Sequence, residues 1–127
     1  MDAIVYAVCI SLGFATLENI MYVYNSGTSA AMYVAILRGL TAVPAHALFG
    51  LTMGLMFINY SFIKKNNYNL AMCFIYPMLM HATYNFLVGH TNVFIVIIIL
   101  IISWRIQLRK FRSFKGLQQT QKSYKKI

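Results

Sequence analysis

The sequence predicts an all-α membrane protein: a polytopic bundle of about four transmembrane helices followed by a short basic tail. Three observations carry this. Of the 127 residues, 60% are hydrophobic and only 10% charged, whereas a soluble domain uses about 25% charged residues to cover its water-facing surface. The apolar residues fall into four segments separated by short polar turns. The net charge of +9 is lopsided, with eight of the eleven Lys and Arg at or beyond Arg105. Residues 1–104 are therefore expected to form the bundle and residues 105–127 a basic cytoplasmic tail.

The first segment, residues 2–24, is long enough to cross a hydrocarbon core of about 30 Å at 1.5 Å per residue. It carries Asp2 rather than the basic start of a signal peptide, so it reads as a permanent helix. Residues 25–29 (Asn-Ser-Gly-Thr-Ser) make a polar turn of helix-breaking types. The second segment, residues 30–62, exceeds a simple span and should tilt, bend or protrude. Pro44 is the expected bend, because it removes a backbone hydrogen bond and clashes with the preceding turn. Lys64, Lys65, Asn66 and Asn67 form the next loop. The third segment, residues 68–88, is interrupted by Pro77, and residues 89–92 turn the chain again. The fourth, residues 93–104, is an Ile/Val run with no polar face and is expected to face lipid. Residues 118–126 look frayed or disordered. Cys9 and Cys73 both sit in apolar segments and read as packing residues, not as a disulfide or a metal site.

Lys64, Lys65 and the tail share one side of this arrangement, while the other two loops carry no Lys or Arg. The positive-inside rule then places both termini in the cytoplasm of a protein integral to the cell membrane. Tyr22, Tyr24 and Tyr33 fall at the outer interface, and Tyr60, Tyr68 and Trp104 at the inner one.

The chain's only glutamate, Glu18, lies in an apolar run. An ionised carboxylate out of water is costly unless partnered, and the available partners are Arg38, His46, His81 and His90. Glu18 and His81 each lie about 10 Å from the outer end of their helix. That depth permits Glu18, His81 and one of Arg38 or His46 to share a layer without choosing between the two. On the second segment Ala42, His46, Gly50 and Gly54 recur every four residues, a small-residue stripe of the kind that lets membrane helices approach closely. Packing alone suffices to explain its glycines. His81 and Asn85 are four apart and share a face.

Ionisable groups at such depth commonly face a cavity or pathway. Glu18, His46 and His81 are a sensible nitrogen and oxygen ligand set for a zinc-like ion with one position open to water. A satisfied polar core is the competing reading. Arg38 either snorkels outward or neutralises Glu18.

A family resemblance rests on these residues. The run Asp2-Ala3-Ile4-Val5-Tyr6-Ala7, then Gly13-Phe14-Ala15 with Glu18-Asn19 and Tyr22, then Arg38, His46-Ala47 and His81-Ala82 with Asn85, resembles the PrsW family of intramembrane proteases. That family is distantly similar to the CAAX-processing membrane proteases. The resemblance implies an endopeptidase, metallo- or glutamic-type, acting on membrane-anchored proteins, of which anti-sigma-type regulators are the best-known class. It implies Glu18, His46 and His81 as catalytic residues and metal ligands, with Asn19, Arg38 and Asn85 in support. A divalent ion such as zinc is the implied cofactor.

The family pattern also includes an earlier helix with a paired-glutamate EExxK motif. These 127 residues hold no such pair, so the expectation is a truncated member, half of a split enzyme or a degenerate relative, impaired by itself. Ala3 stands where the family has Gly, and Ala42 where the CAAX relatives have Phe. The implied partners are a membrane-anchored substrate, the lipid bilayer, and anionic lipid at the basic tail. Nucleic acid is not implied, since no recognition motif accompanies the charge. The alternative is a non-enzymatic small membrane protein whose polar residues tie its helices together or bind a partner.

Overall fold

The turn residues set where the chain reverses. Gly27, at φ 73°, supplies a left-handed conformation that other residues rarely adopt, and Ser26 Oγ donates to Val23 O at 2.8 Å. Asn66 caps the next helix: it is extended, and its side-chain oxygen accepts from Asn69 N at 2.7 Å. Thr91 closes that helix by donating from both N and Oγ1 to Leu87 O. A computed structural model describes residues 2–62 and 66–124, with side chains over residues 2–61 and 66–115. Its helices are α1 (Asp2–Asn25), α2 (Ala31–Phe62), α3 (Asn67–His90) and α4 (Val93–Tyr124). No strand occurs among the described residues. The loop lysines Lys64 and Lys65 lie outside them.

Three helices are long and apolar enough to cross a membrane: α1, residues 31–61 of α2, and α3. In α4 the uninterrupted apolar run covers residues 93–104, about 18 Å, before Arg105, Arg109 and Lys110 begin. At 32 residues, α2 is about 48 Å long and exceeds the hydrocarbon core. It runs helical through Pro44, as α3 does through Pro77.

α2 is the centre of the bundle and packs against each of the other three. α1 lies antiparallel and very close to it. A Cβ on Gly50 would sit 2.7 Å from Val8 Cα, and one on Gly54 2.6 Å from Ile4 Cα. The glycines of the small-residue stripe are therefore a packing requirement of the α1–α2 contact. On the opposite flank Tyr84 of α3 donates to Thr41 Oγ1 of α2 at 2.9 Å. The core there joins Ala42, Ala45, Leu48 and Phe49 to Tyr84, Val96 and Leu100.

α4 departs from the expectation that it faces lipid all round. Phe94, Ile95, Ile98, Ile101 and Ile102 are exposed, but Val96 and Leu100 are buried. The same stripe continues with Trp104, whose Nε1 donates to Pro44 O at 3.2 Å, and buried Gln107, whose Nε2 donates to Thr52 Oγ1 at 2.8 Å. Phe111 and Phe114 then pack on Ile4, Leu51 and Ile58. Steps of three and four residues keep all six positions on one face. The helix passes residue 104 unbroken and runs on to Tyr124, through most of the stretch expected to fray. Cys9 is exposed, and Cys73 is buried, its thiol on Asn69 O; both are free.

Candidate metal centre

Ser11, Ala15, Glu18 and Tyr22 follow one another at three- and four-residue steps, so the α1 face that meets the α2 glycines also delivers Glu18 to α2. Arg38 and His46 are eight residues apart on α2, about 12 Å along its axis. The long arginine side chain spans that gap, and both residues reach the same atom. Arg38 Nη2 donates to Glu18 Oε2 at 2.7 Å, and His46 Nε2 lies 3.1 Å from it. The other carboxylate oxygen, Oε1, is 3.4 Å from Nε2 of His81 on α3. Both residues left open at the sequence level thus join Glu18 and His81. Arg38 points inward and neutralises the glutamate.

Further contacts hold these groups in place. Arg38 Nε donates to Asn19 Oδ1 at 2.7 Å, and the guanidinium lies 3.8 Å from the Tyr22 ring centroid. Asn85 Nδ2 is 3.2 Å from His81 Nε2. Ser11 Oγ donates to the backbone carbonyl of His46 at 2.7 Å. The imidazoles of His46 and His81 lie 4.7 Å apart by centroid, and Phe14 and Phe49 each contact both rings at 5.6–5.8 Å. Ser11, Phe14, Phe49 and the stacking of Tyr22 were not anticipated as site contacts. Phe14 and Tyr22 stood in the motif that carries the family resemblance, though without a role, and the three- and four-residue steps from Ser11 to Glu18 are the signal that could have found Ser11. His90 lies elsewhere, exposed and stacked on Phe86.

The donor set fits a metal ion. The three ligand atoms offered by Glu18, His46 and His81 lie within 4.8 Å of one another. Two histidines and a carboxylate are the protein ligands of one common catalytic zinc arrangement, with the fourth position left for water. Zinc bond lengths place neighbouring donors of a tetrahedral site about 3.4 Å apart. Glu18 Oε2 lies 3.1 Å from His46 and Oε1 3.4 Å from His81, while a set with one atom from each residue lies within 4.8 Å, so the side chains are close to ligand spacing and would draw together around an ion. Asn85 and an incoming ion would compete for the His81 Nε2 lone pair, so Asn85 steadies the ring when no ion is bound. Burial is graded across the cluster: side chains are 2% exposed at His46, 8% at Arg38, 14% at Glu18 and 22% at His81. The cluster opens on the side where α1 and α3 meet only through side chains.

Comparison with known proteins places this chain in a family. Residues 1–106 match the family described as PrsW family intramembrane metalloprotease. The chain is similar to Protease PrsW of Clostridioides difficile (32% identity, covering 90% of this chain and 50% of the relative). It is also similar to those of Geobacillus kaustophilus (37% identity; 94% and 53%) and Bacillus subtilis (32% identity; 94% and 55%). The chain spans about half the length of the curated relatives it matches. No solved structure gives a significant match. With three membrane-capable helices and the family match running through α1, α2 and α3 into α4, this chain is an integral membrane protein and belongs to the PrsW family.

Proposed function

We propose that the chain carries the metal-holding part of an intramembrane endopeptidase site that acts on membrane-anchored proteins. The observation behind this is the convergence of Glu18, His46 and His81 from three helices onto one point inside an apolar bundle. In this reading His46 and His81 supply Nε2, Glu18 supplies a carboxylate oxygen, and the ion is divalent, zinc being the best chemical match. When bound, such an ion polarises a carbonyl and acidifies a water.

The chain's own residues do the rest of the positioning. Arg38, itself held by Asn19 and Tyr22, supplies the charge opposite Glu18 and fixes which oxygen faces His46. Ser11 sets the height of His46 on α2, and Asn85 holds the His81 ring until an ion takes its Nε2. Phe14 and Phe49 cover the ring faces and exclude water from them. The graded burial leaves Glu18 and His81 as the accessible edge, so a substrate segment approaches laterally between α1 and α3. Orientation follows the positive-inside rule, with both termini cytoplasmic.

Hydrolysis also requires a base. The only acids in the sequence are Asp2 and Glu18. Asp2 is sixteen residues from Glu18, about 24 Å down α1, and Glu18 is committed to Arg38 and the histidines. A polypeptide of these 127 residues therefore depends on a carboxylate brought to the site by another segment, such as the paired-glutamate helix of the family pattern.

One observation favours a second reading, a non-enzymatic polar clamp. No buried side-chain nitrogen or oxygen among the described residues lacks a partner, so the cluster is satisfied with protein groups alone. Metal analysis of the detergent-purified chain separates the two. The protease reading expects about one equivalent of a divalent metal, lost in His46→Ala and in His81→Ala. It also expects His46-dependent cleavage of a membrane-anchored reporter when a glutamate-bearing helix is co-expressed. No retained metal together with no cleavage under that complementation leaves the clamp.

A further inference from the structure

The chain holds too few acids to balance the basic end of α4. Eight Lys and Arg lie at or beyond Arg105 and the sequence has two acids. Glu18 is taken by Arg38, and Asp2, two residues before the Ile4 on which Phe111 and Phe114 pack, offsets one charge at most. Among the described residues Lys110 has no ion-pair partner, and Arg109 and Arg112 beside it are also exposed. Most of the balancing charge there has to come from outside.

The surface next to Lys110 indicates the form of that anion. α3 and α4 each pack on α2 but meet one another over only a short stretch. Between them lies an apolar cavity of about 330 Å³, walled by Phe49 of α2, Leu79 and Leu87 of α3, and Val96 and Leu100 of α4. Tyr76 lines this cavity and also a second one of about 340 Å³, which leads past Asn59 and Gln107 to Lys110. The two adjoin at the shared Tyr76, so a groove along both is apolar toward mid-bundle and polar with a lysine at the other end. From Lys110 to Ile99 is eleven residues of α4, about 16 Å, close to half of the roughly 30 Å hydrocarbon core.

We propose that this groove binds an anionic phospholipid of the adjoining leaflet, its phosphate at Lys110 and one acyl chain running past Tyr76 toward Phe49. The dimensions favour a lipid over a protein helix. A helix about 10 Å across would need about 1,250 Å³ over the same 16 Å, about twice the volume of the two cavities taken together. The chain terminus would rest on Phe49, whose ring is 5.6 Å from that of His46 and 5.8 Å from that of His81. Lipid occupancy therefore braces one wall of the candidate metal centre, although the lipid site stands on its own geometry and not on any activity of that centre.

Native mass spectrometry of the detergent-solubilised chain tests this, with phosphatidylglycerol and phosphatidylcholine of identical acyl chains titrated separately. One phosphatidylglycerol should be retained in preference to phosphatidylcholine. Lys110→Gln should weaken phosphatidylglycerol alone by about fivefold, the factor that a single basic residue near a lipid surface is worth. Arg112→Gln, off the groove, should have far less effect. Ser103→Trp fills the apolar part and should weaken both lipids; Ile99→Trp, on the same wall, replaces it if circular dichroism shows that Ser103→Trp has not folded. Equal retention of the two lipids would overturn the proposal. So would equal losses for Lys110→Gln and Arg112→Gln, which mean diffuse attraction, or a photo-crosslinker at Leu79 that captures a protein instead of lipid.

Discussion

Replacing Arg38 by methionine removes the cation that compensates Glu18 and leaves a partly buried carboxylate facing two histidines. The side chains concerned are 8% and 14% exposed, and the arginine makes a 2.7 Å bond to Glu18, a 2.7 Å bond to Asn19 and a stacking contact with Tyr22. Removing one partner of a buried ion pair costs about 3–5 kcal/mol, chiefly because the other charge is stranded. His46 and His81 still face Glu18, which places the expectation at the lower end, about 3 kcal/mol, or more than a hundredfold in the folding equilibrium. Glu18→Gln strands Arg38 instead and should cost a similar amount. The double variant strands neither, so it should recover about 2 kcal/mol or more relative to the sum of the singles. Arg38→Lys keeps the charge but cannot bridge Glu18 and Asn19 with a rigid fork, and should cost about 1–1.5 kcal/mol. Unfolding in mixed dodecyl maltoside and SDS micelles, followed by circular dichroism, measures all four. An Arg38→Met chain within about 1 kcal/mol of the parent, with additive singles, would mean that Arg38 snorkels to water and that the histidines alone hold Glu18.

The close approach of α1 and α2 makes Gly50→Ala and Gly54→Ala costly, about 1–3 kcal/mol each, whereas Gly39→Ala, with nothing within 4 Å of the new methyl, should be neutral or stabilising by up to about 1 kcal/mol. The same micelle titration compares them, and a Gly50→Ala chain as stable as Gly39→Ala would refute the packing described. His46→Ala should destabilise the bundle by about 2 kcal/mol or more, as expected for truncating a buried core side chain, and His81→Ala by clearly less, with metal content lost equally in both. Gln107→Leu should cost only about 0.6 kcal/mol, the average for a hydrogen bond between membrane helices; a loss above 2 kcal/mol would show that α4 depends on that contact far more than its geometry indicates.

The helix positions were legible because polar turns punctuate the chain. The Asn-Ser-Gly-Thr-Ser turn and the Asn66 cap fix the ends of α1 and the start of α3 to within a residue or two. The inner face of α4 was not legible. In a bilayer lipid is as apolar as a protein core, so an Ile/Val run carries no information about which side is buried. Gln107, the residue that marks the buried face, sits among arginines and reads as part of a solvated tail. At the site the reverse holds. Glu18, His46 and His81 stand out because ionisable groups are expensive in apolar surroundings, and the structure brings all three together. Depth counting failed only over Arg38 and His46, since backbone rise takes no account of a side chain long enough to cover two helical turns. Phe14 stood in the Gly13-Phe14-Ala15 block of the resemblance, but without a role, and Phe49 was invisible for a plainer reason: nine phenylalanines in an apolar chain leave no way to tell which flank the imidazoles.

The supports of the cluster are unequal, and the inequality follows from how each helix is attached to α2. α1 is fixed by backbone proximity: Val8 and Ile4 lie against Gly50 and Gly54, and Ser11 bonds the carbonyl of His46 itself. One further turn or two along α1, Glu18 has little freedom to move relative to His46. α3 is attached through side chains, Tyr84 on Thr41 and Phe49 against His81, and its histidine is the most exposed of the three candidate ligands. Glu18 and His46 are thus a preformed pair that the bundle cannot lose without loosening, whereas His81 completes the set from a helix whose hold on α2 is softer. A change that shifts α3, such as the proposed entry of a substrate segment beside it or the proposed seating of a lipid between it and α4, would act on the Glu18–His46–His81 geometry through His81 while leaving the Glu18–His46 pair and the fold in place.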